Sequence, residues 1–364
     1  MSQTGIPYLF LRGGTSRGPY FRREDLPQDR DHLARVLIAA VGAGHPLNID
    51  GIGGGNAVTT KVAMLSKSER DDCDVDYFFA QVAVEKEEVD FKPTCGNILC
   101  GVGPAALEMG LVPITGPETI VRIHAVNTGA VIEAVIQTPE GAVSYEGETA
   151  IAGVPGTAAP VRLAFMGTVG SVTGALFPTG NKIDVIDGVE VTCMDVAMPV
   201  MMARAEDFGL TATETAAELD ANTAFFERAE AIRLKAGELM GLGDVSKSVT
   251  PKIAILAKPS QGGTIGSRYF MPWACHPSMA VTGGQCIAAC AITPGTVADG
   301  LAQGVDGDAP LLVQVEHPAG LLDVLIDFDA TPEGPQIKSA GLERTARLIA
   351  RGEVMVPTRV FAAE

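Results

Sequence analysis

Apolar residues recur along this chain in two rhythms, and the alternating one dominates. Ile6 to Leu11 is a short β-type run that stops on Arg12-Gly13-Gly14-Thr15-Ser16-Arg17-Gly18. Leu33, Val36, Leu37, Ala40 and Val41 fall at helical spacing and predict a helix over 31–41 that ends at Gly42. Lys61 stands where a strand-like segment leaves the glycine-dense stretch 51–55. Val75, Tyr77, Phe79, Gln81 and Ala83 alternate and predict a further strand. Beyond residue 110 the pattern is almost all β, with strands expected over 119–125, 130–137, 142–148, 161–166, 189–194, 198–202, 252–257 and 268–272, and a hairpin over 311–317 and 321–327. Helices are expected over 211–222 and 223–240, and the tail 341–360 reads as an edge strand or a helix that closes back on the fold.

Two further helices open on polar, glycine-containing turns. One begins behind Cys95 in Thr94-Cys95-Gly96-Asn97-Ile98-Leu99-Cys100, with Thr94 as its expected cap and Gly110 as its stop. The other follows Cys275-His276-Pro277-Ser278-Met279 and runs through Thr282-Gly283-Gly284 to Pro294. They look like one internal echo per domain. A thiol at a helix start faces unpaired N–H groups and the positive end of the helix dipole, which favour thiolate and a neighbouring carboxylate. The competing reading is a buried structural cysteine. Lys61 is likewise either a solvated side chain or a desolvated base, and His276 either a cleft residue or a cap.

The 364 residues carry a formal net charge of −17, which disfavours nucleic acid and anionic membranes as partners and requires any anion site to be locally positive. Hydrophobic residues at 46%, with 42 Gly and 23 Pro, describe a folded, turn-rich chain long enough for two domains. No apolar run reaches membrane-spanning length, no secretory leader is legible, and seven cysteines without a pairing pattern suit a reducing compartment. A cytoplasmic protein is therefore expected. Five scattered histidines give no metal-ligand spacing, and the glycine clusters fit no nucleotide-binding frame, so neither metal nor cofactor is expected.

Several motifs in order resemble the PrpF-type isomerases: RGGTSRG (12–18), DGIGG (50–54), TTK (59–61), SERDDCDVDYFF (68–79), CGNILCGVGP (95–104), FPTGN (177–181) and PGTVADGLA (294–302). GVEVTC (188–193), EAIRLKAG (230–237) and MGLGDVSKS (240–248) are most similar to the oxalomesaconate branch. The resemblance implies an α+β, diaminopimelate epimerase-like fold of two similar, mostly antiparallel β domains, each wrapped around a central helix, with the active site in a cleft. Domains are expected at 1–182 and 183–345, with 346–364 returning to the first. It implies a cofactor-independent isomerase that shifts a proton and a double bond in an unsaturated polycarboxylate, 4-oxalomesaconate in aromatic-acid degradation before 2-methylaconitate or methylitaconate-type substrates. Lys61 and Cys95 would be the proton-moving pair, with Lys61 neutral through burial. Arg12, Gly13, Gly14, Thr15, Ser16, Gly54, Thr60, Gly96, Asn97, Thr179, Gly180, Asn181, His276, Ser278, Met279, Thr282 and Gly283 would bind substrate. The second-domain helix opens on Met279 to Gly283 without a thiol, and Cys286 and Cys290 lie a turn or more inside it, which disfavours a two-thiol epimerase. A non-catalytic dicarboxylate-binding protein is the alternative from another class. A homodimer is compatible with the sequence.

Overall fold

A computed structural model describes residues 2–151, 153–332 and 334–362. The chain forms two compact units, one from residues up to Leu163 together with those from Glu343 onward, the other Ala164–Leu342. These boundaries differ from the expected 182/183 and 345/346 because they fall inside long strands, where composition gives no break.

The first unit contains β1 (Gln3–Gly13), β2 (Ser16–Arg22), α1 (Arg30–Val41), β3 (Lys61–Lys67), β4 (Val75–Val82), the short β5 (Val89–Asp90), α2 (Gly96–Leu99), α3 (Val102–Glu108), β6 (Glu118–Ala125), β7 (Ala130–Gln137) and the start of β8 (Pro160–Met166). The second contains β9 (Asp184–Ile186), β10 (Val189–Asp195), β11 (Pro199–Arg204), α4 (Ala216–Asp220), α5 (Thr223–Leu239), β12 (Lys252–Ala257), β13 (Ile265–Phe270), α6 (Val281–Ile292), β14 (Leu311–His317) and β15 (Gly320–Thr331). The long β16 (Gly334–Pro357) is shared, and α7 (Thr358–Phe361) follows it.

Strand order in the first unit is β1-β2-β3-β4-β6-β7-β8-β16, and β16 also pairs with β1, so the sheet closes on itself. The tail is thus an interior strand, not an edge. In the second unit the order is β16-β15-β14-β13-β12-β11-β10-β9.

Both units follow one plan. In the first, β1–β2, β3–β4 and β6–β7 are antiparallel while β2–β3 and β4–β6 are parallel. In the second, β10–β11, β12–β13 and β14–β15 are antiparallel while β11–β12 and β13–β14 are parallel. The α2–α3 segment lies between β4 and β6 in the chain, as α6 lies between β13 and β14. Strand alternation then sorts side chains by face. Val62 and Met64 pack with Leu33, Val36 and Leu37 of α1, and Ile253 and Ile255 pack with Ile232 and Ala236 of α5. Ala254 and Leu256 pack instead with Cys286, Ile287 and Cys290 of α6.

Local chemistry explains where the elements differ from expectation. Stretch 142–148 forms no strand; Ser144 N–H turns back to the Gln137 carbonyl at 2.9 Å. Helix α4 starts only at Ala216 because Thr211 and Glu214 close a local turn first, and Thr215 with Glu218 forms the capping box. The helix behind Cys95 runs a single turn before it breaks. Pro104 has no N–H for the Cys100 carbonyl, and the Tyr20 hydroxyl donates to the Ile98 carbonyl at 2.6 Å.

Candidate active site

Lys61 is the first residue of β3, half-buried, and opposite Gln81 on β4. Its ammonium donates to Gln81 Oε1 at 2.6 Å and sits 5.5 Å from the centroid of the Phe79 ring. The Gln81 amide is held in turn, donating from Nε2 to the Ala57 carbonyl at 3.1 Å and to Thr60 Oγ1 at 3.2 Å. Phe79 and Tyr77 follow on the same face, with ring centroids 6.3 Å apart, and the Tyr77 hydroxyl reaches the Cys95 carbonyl at 3.5 Å. An unbroken line of contacts, Lys61–Phe79–Tyr77–Cys95, therefore joins the lysine to the cysteine inside the first unit.

Cys95 is the N-cap of α2, with extended backbone, and its side chain makes no cap bond. Thr94 is not the cap. With α2 only four residues long, the dipole of a long helix is absent, and what faces the cysteine is the set of free first-turn N–H groups. A Cβ on Gly96 would meet nothing within 4 Å, so the space beside this turn is open. Cys95 is half-buried, whereas Cys100 is fully buried, donates to the Gly96 carbonyl at 3.1 Å and is pushed up to about 12 by burial. Burial likewise drives the Tyr20 and Tyr77 hydroxyls well above their usual range. Around Cys95 the buried groups thus stay neutral.

The RGGTS loop docks on the same turn. Asn97 Nδ2 donates to Thr15 Oγ1 at 3.0 Å, and Thr15 N–H reaches Asn97 Oδ1 at 3.4 Å. Gly14 has φ +51, and a Cβ there would collide with the Asn97 amide, so only glycine fits. Gly13 passes equally close to the Asn97 carbonyl. Ser16 is buried with no hydrogen-bond partner for its hydroxyl among the described residues. Thr15, Ser16, Gly96 and Asn97 are thus brought together with Cys95.

The other expected binding residues make the following contacts within the protein. Arg12 spends Nη1 on the carbonyls of Gly14 and Thr345, both at 2.9 Å, and so braces the loop. Thr60 is fully buried and donates to the Val82 carbonyl at 2.7 Å, which makes it a support for Gln81. Gly54 lies against Thr59 and the Arg17 guanidinium. In the second unit, Thr179 Oγ1 and Asn181 Nδ2 both donate to Asp184, at 2.6 and 2.8 Å, and Gly180, at φ +81, completes that turn. Met279 is buried in the core around α6, and Gly283 is where α6 presses on the Tyr269 ring. His276 accepts the Ser278 N–H at Nδ1, at 3.0 Å, which caps the turn before α6; burial first, and the charge of Lys252 with it, lowers its pKa. Thr282, half-exposed, is the second residue of α6.

Sequence reading missed Gln81, although it is the one amide in the row Val75, Tyr77, Phe79, Gln81 that otherwise packs apolar side chains toward the helix. Among the described residues, no three His, Cys, Asp or Glu side chains form a group able to hold a metal, and no helix is long and apolar enough to cross a membrane.

A family model described as PrpF protein matches residues 3–357. The chain is 48% identical over 352 residues to the putative isomerase YbhH of Escherichia coli, covering 97% of this chain and 99% of that one. It is also 48% identical over 356 residues to a 4-oxalomesaconate tautomerase of Pseudomonas putida, covering 98% and 97%. The crystal structure of a methylitaconate-delta-isomerase superposes with a TM-score of 0.87 at 32% identity, covering 100% of this chain and 98% of that one. The α+β fold is accordingly the diaminopimelate epimerase-like one. From the matched motifs, the shared architecture and the full-length identity it follows that this chain belongs to the PrpF family and is an isomerase.

Proposed function

We propose that the chain isomerises an unsaturated polycarboxylate of the 4-oxalomesaconate class, with Lys61 and Cys95 as its acid–base pair. The observation that carries this reading is the contact line from the Lys61 ammonium through Phe79 and Tyr77 to Cys95, beside an open turn. Identity of 48% to a 4-oxalomesaconate tautomerase supports the substrate class.

Lys61 Nζ takes the proton from a carbon next to a carbonyl. The C–H electron pair delocalises into the conjugated system, and the Cys95 thiol delivers its proton to the far carbon, so the double bond moves. The ammonium and thiolate left behind exchange protons with water and reset the pair. Gln81 Oε1 fixes the position of Lys61 through the cycle. Thr15, Ser16, Gly96 and Asn97 offer donors to the carboxylates and to the dienolate charge. Their hydroxyl, amide and backbone N–H groups carry no charge, so they stabilise the anion without binding it too tightly to release.

The test is ultraviolet-monitored conversion of 4-oxalomesaconate, 2-methylaconitate and 3-methylitaconate by purified protein. Turnover of 4-oxalomesaconate at a kcat/KM at least about a hundredfold above the other two is expected, since buried polar recognition of an extra group discriminates on that scale or better. Conversion of the methylated substrates alone would overturn the substrate class.

A further inference from the structure

The repeat of one strand plan in both units places a second lysine where Lys61 stands in the first. Lys61 opens β3 and Lys252 opens β12. Ala63 pairs with Phe79 across β3–β4, and Ala254 pairs with Tyr269 across β12–β13. Both lysines share their strand face with the alanine two residues on, and Ala254 packs against α6. The correspondence fails at one position. Lys61 has Gln81 opposite it as an acceptor. The β12–β13 register, carried one residue past Ile253↔Phe270, sets Met271 opposite Lys252.

Lys252 is half-buried, and its ammonium has no hydrogen bond or ion pair with any described residue. Its charged neighbours are cationic or become so: burial lowers its pKa, and the Arg233 guanidinium lowers it further. Arg233 is itself fully buried and bound bidentately by Glu230 at 2.6 and 2.7 Å, so its own carboxylate is fixed on it. Lys252 in turn lowers His276. A partly desolvated ammonium in the field of a second cation gains from a bound anion.

We propose that Lys252 is a carboxylate-binding site of the second unit, the counterpart of Lys61 converted from proton transfer to anion recognition by the exchange of a glutamine for Met271. The assignment rests on the polycarboxylate reading for its ligand class, and on the internal repeat for its position. Met271 contributes by what it lacks. With no side-chain acceptor opposite, the ammonium keeps its donors for a bound carboxylate instead of spending one internally.

The experiment is calorimetric titration of tricarballylate, an unreactive tricarboxylate, into the wild-type chain, Lys252→Met, Lys252→Gln and Lys252→Arg, with thermal melts as the folding control. Dissociation constants at least about tenfold weaker in the Met and Gln variants, largely restored in Lys252→Arg and weakening further with salt, are expected for a charge-assisted contact. Unchanged affinity in Lys252→Met or Lys252→Gln, or no binding to the wild-type chain, would overturn the site. Turnover of 4-oxalomesaconate is scored separately. A wild-type chain that binds tricarballylate through Lys252 but converts no substrate contradicts the isomerisation reading and leaves the site standing.

Discussion

In the first unit the helix between β4 and β6 breaks after one turn and leaves a half-buried cysteine at its start; in the second the corresponding α6 runs unbroken for 12 residues from Val281, with its cysteines buried. The lysines differ in the same sense, Lys61 having an amide acceptor and Lys252 none among the described residues. The loops differ too. The first unit ties its RGGTS loop with a neutral Asn97–Thr15 pair, while the second pins loops with buried carboxylates. Asp195 accepts from Ser171, Val172 and Thr173, and Glu316 from Ser260, Gln261 and Gly263. One strand plan, used twice, carries a half-buried cysteine and an amide-held lysine in one copy and carboxylate-pinned loops in the other.

The largest effect should separate the cysteines. Lys61→Met and Cys95→Ser each lower kcat by about 10²–10⁴ in a steady-state assay, the range for loss of a general acid or base. Cys286→Ala, in the core of α6, leaves kcat within about twofold and lowers the melting temperature instead, because only packing is lost. Equal loss of kcat in all three would erase the distinction between the copies.

The next separates the units by pH. Burial alone would raise the Glu316 pKa, but the N–H donors of Ser260, Gly263 and Gln261 outweigh it and hold the carboxyl below its usual range. A depressed folded-state pKa contributes stability that is present above the ordinary carboxylate value and is lost as pH falls through the lowered one. Glu316→Gln therefore destabilises the chain by about 2–4 kcal/mol at neutral pH in a denaturant melt, with the gap closing in acid. Hydrogen exchange in acid should loosen the second unit's 258–264 loop before the first unit's 13–16 loop.

A glycine comparison follows. Gly14→Ala must adopt φ +51 and also displace Asn97, at about 2–3 kcal/mol, whereas Gly180→Ala at φ +81 meets nothing within 4 Å and costs about 1 kcal/mol. Thermal melts check both, and Gly14→Ala alone should also lower kcat. The smallest effect sharpens the lysine comparison. Gln81→Leu frees Lys61 from its acceptor and lowers kcat by about tenfold, while Met271→Gln gives Lys252 an acceptor and weakens tricarballylate binding by about twofold to threefold.

Much of this was legible beforehand. Alternation and helical spacing found most strands, though not the absence of one over 142–148, and the α1 and α5 helices, and the echo between the Cys95 and His276 turns is the strand-level repeat seen in motif form. The placement of Lys61 at the start of β3 and of Cys95 and Asn97 on one turn with Thr15 was legible because it is local to short motifs. What escaped depends on pairing. Gln81 matters only because register sets it opposite Lys61, Thr60 and Arg12 only because their donors are taken by distant carbonyls, and Lys252 only because two strand orders match. The break in the Cys95 helix could have been read from Pro104 alone, whose missing N–H leaves the Cys100 carbonyl unpaired.

The account's central claim is that Lys61 removes a substrate proton and Cys95 returns one. The most direct test follows solvent deuterium into 4-oxalomesaconate by NMR in the two single variants. Cys95→Ser should still exchange the acidic C–H while isomerisation stalls, and Lys61→Met should lose both. Exchange that persists in Lys61→Met, or isomerisation that survives in Cys95→Ser at the wild-type rate, would contradict it.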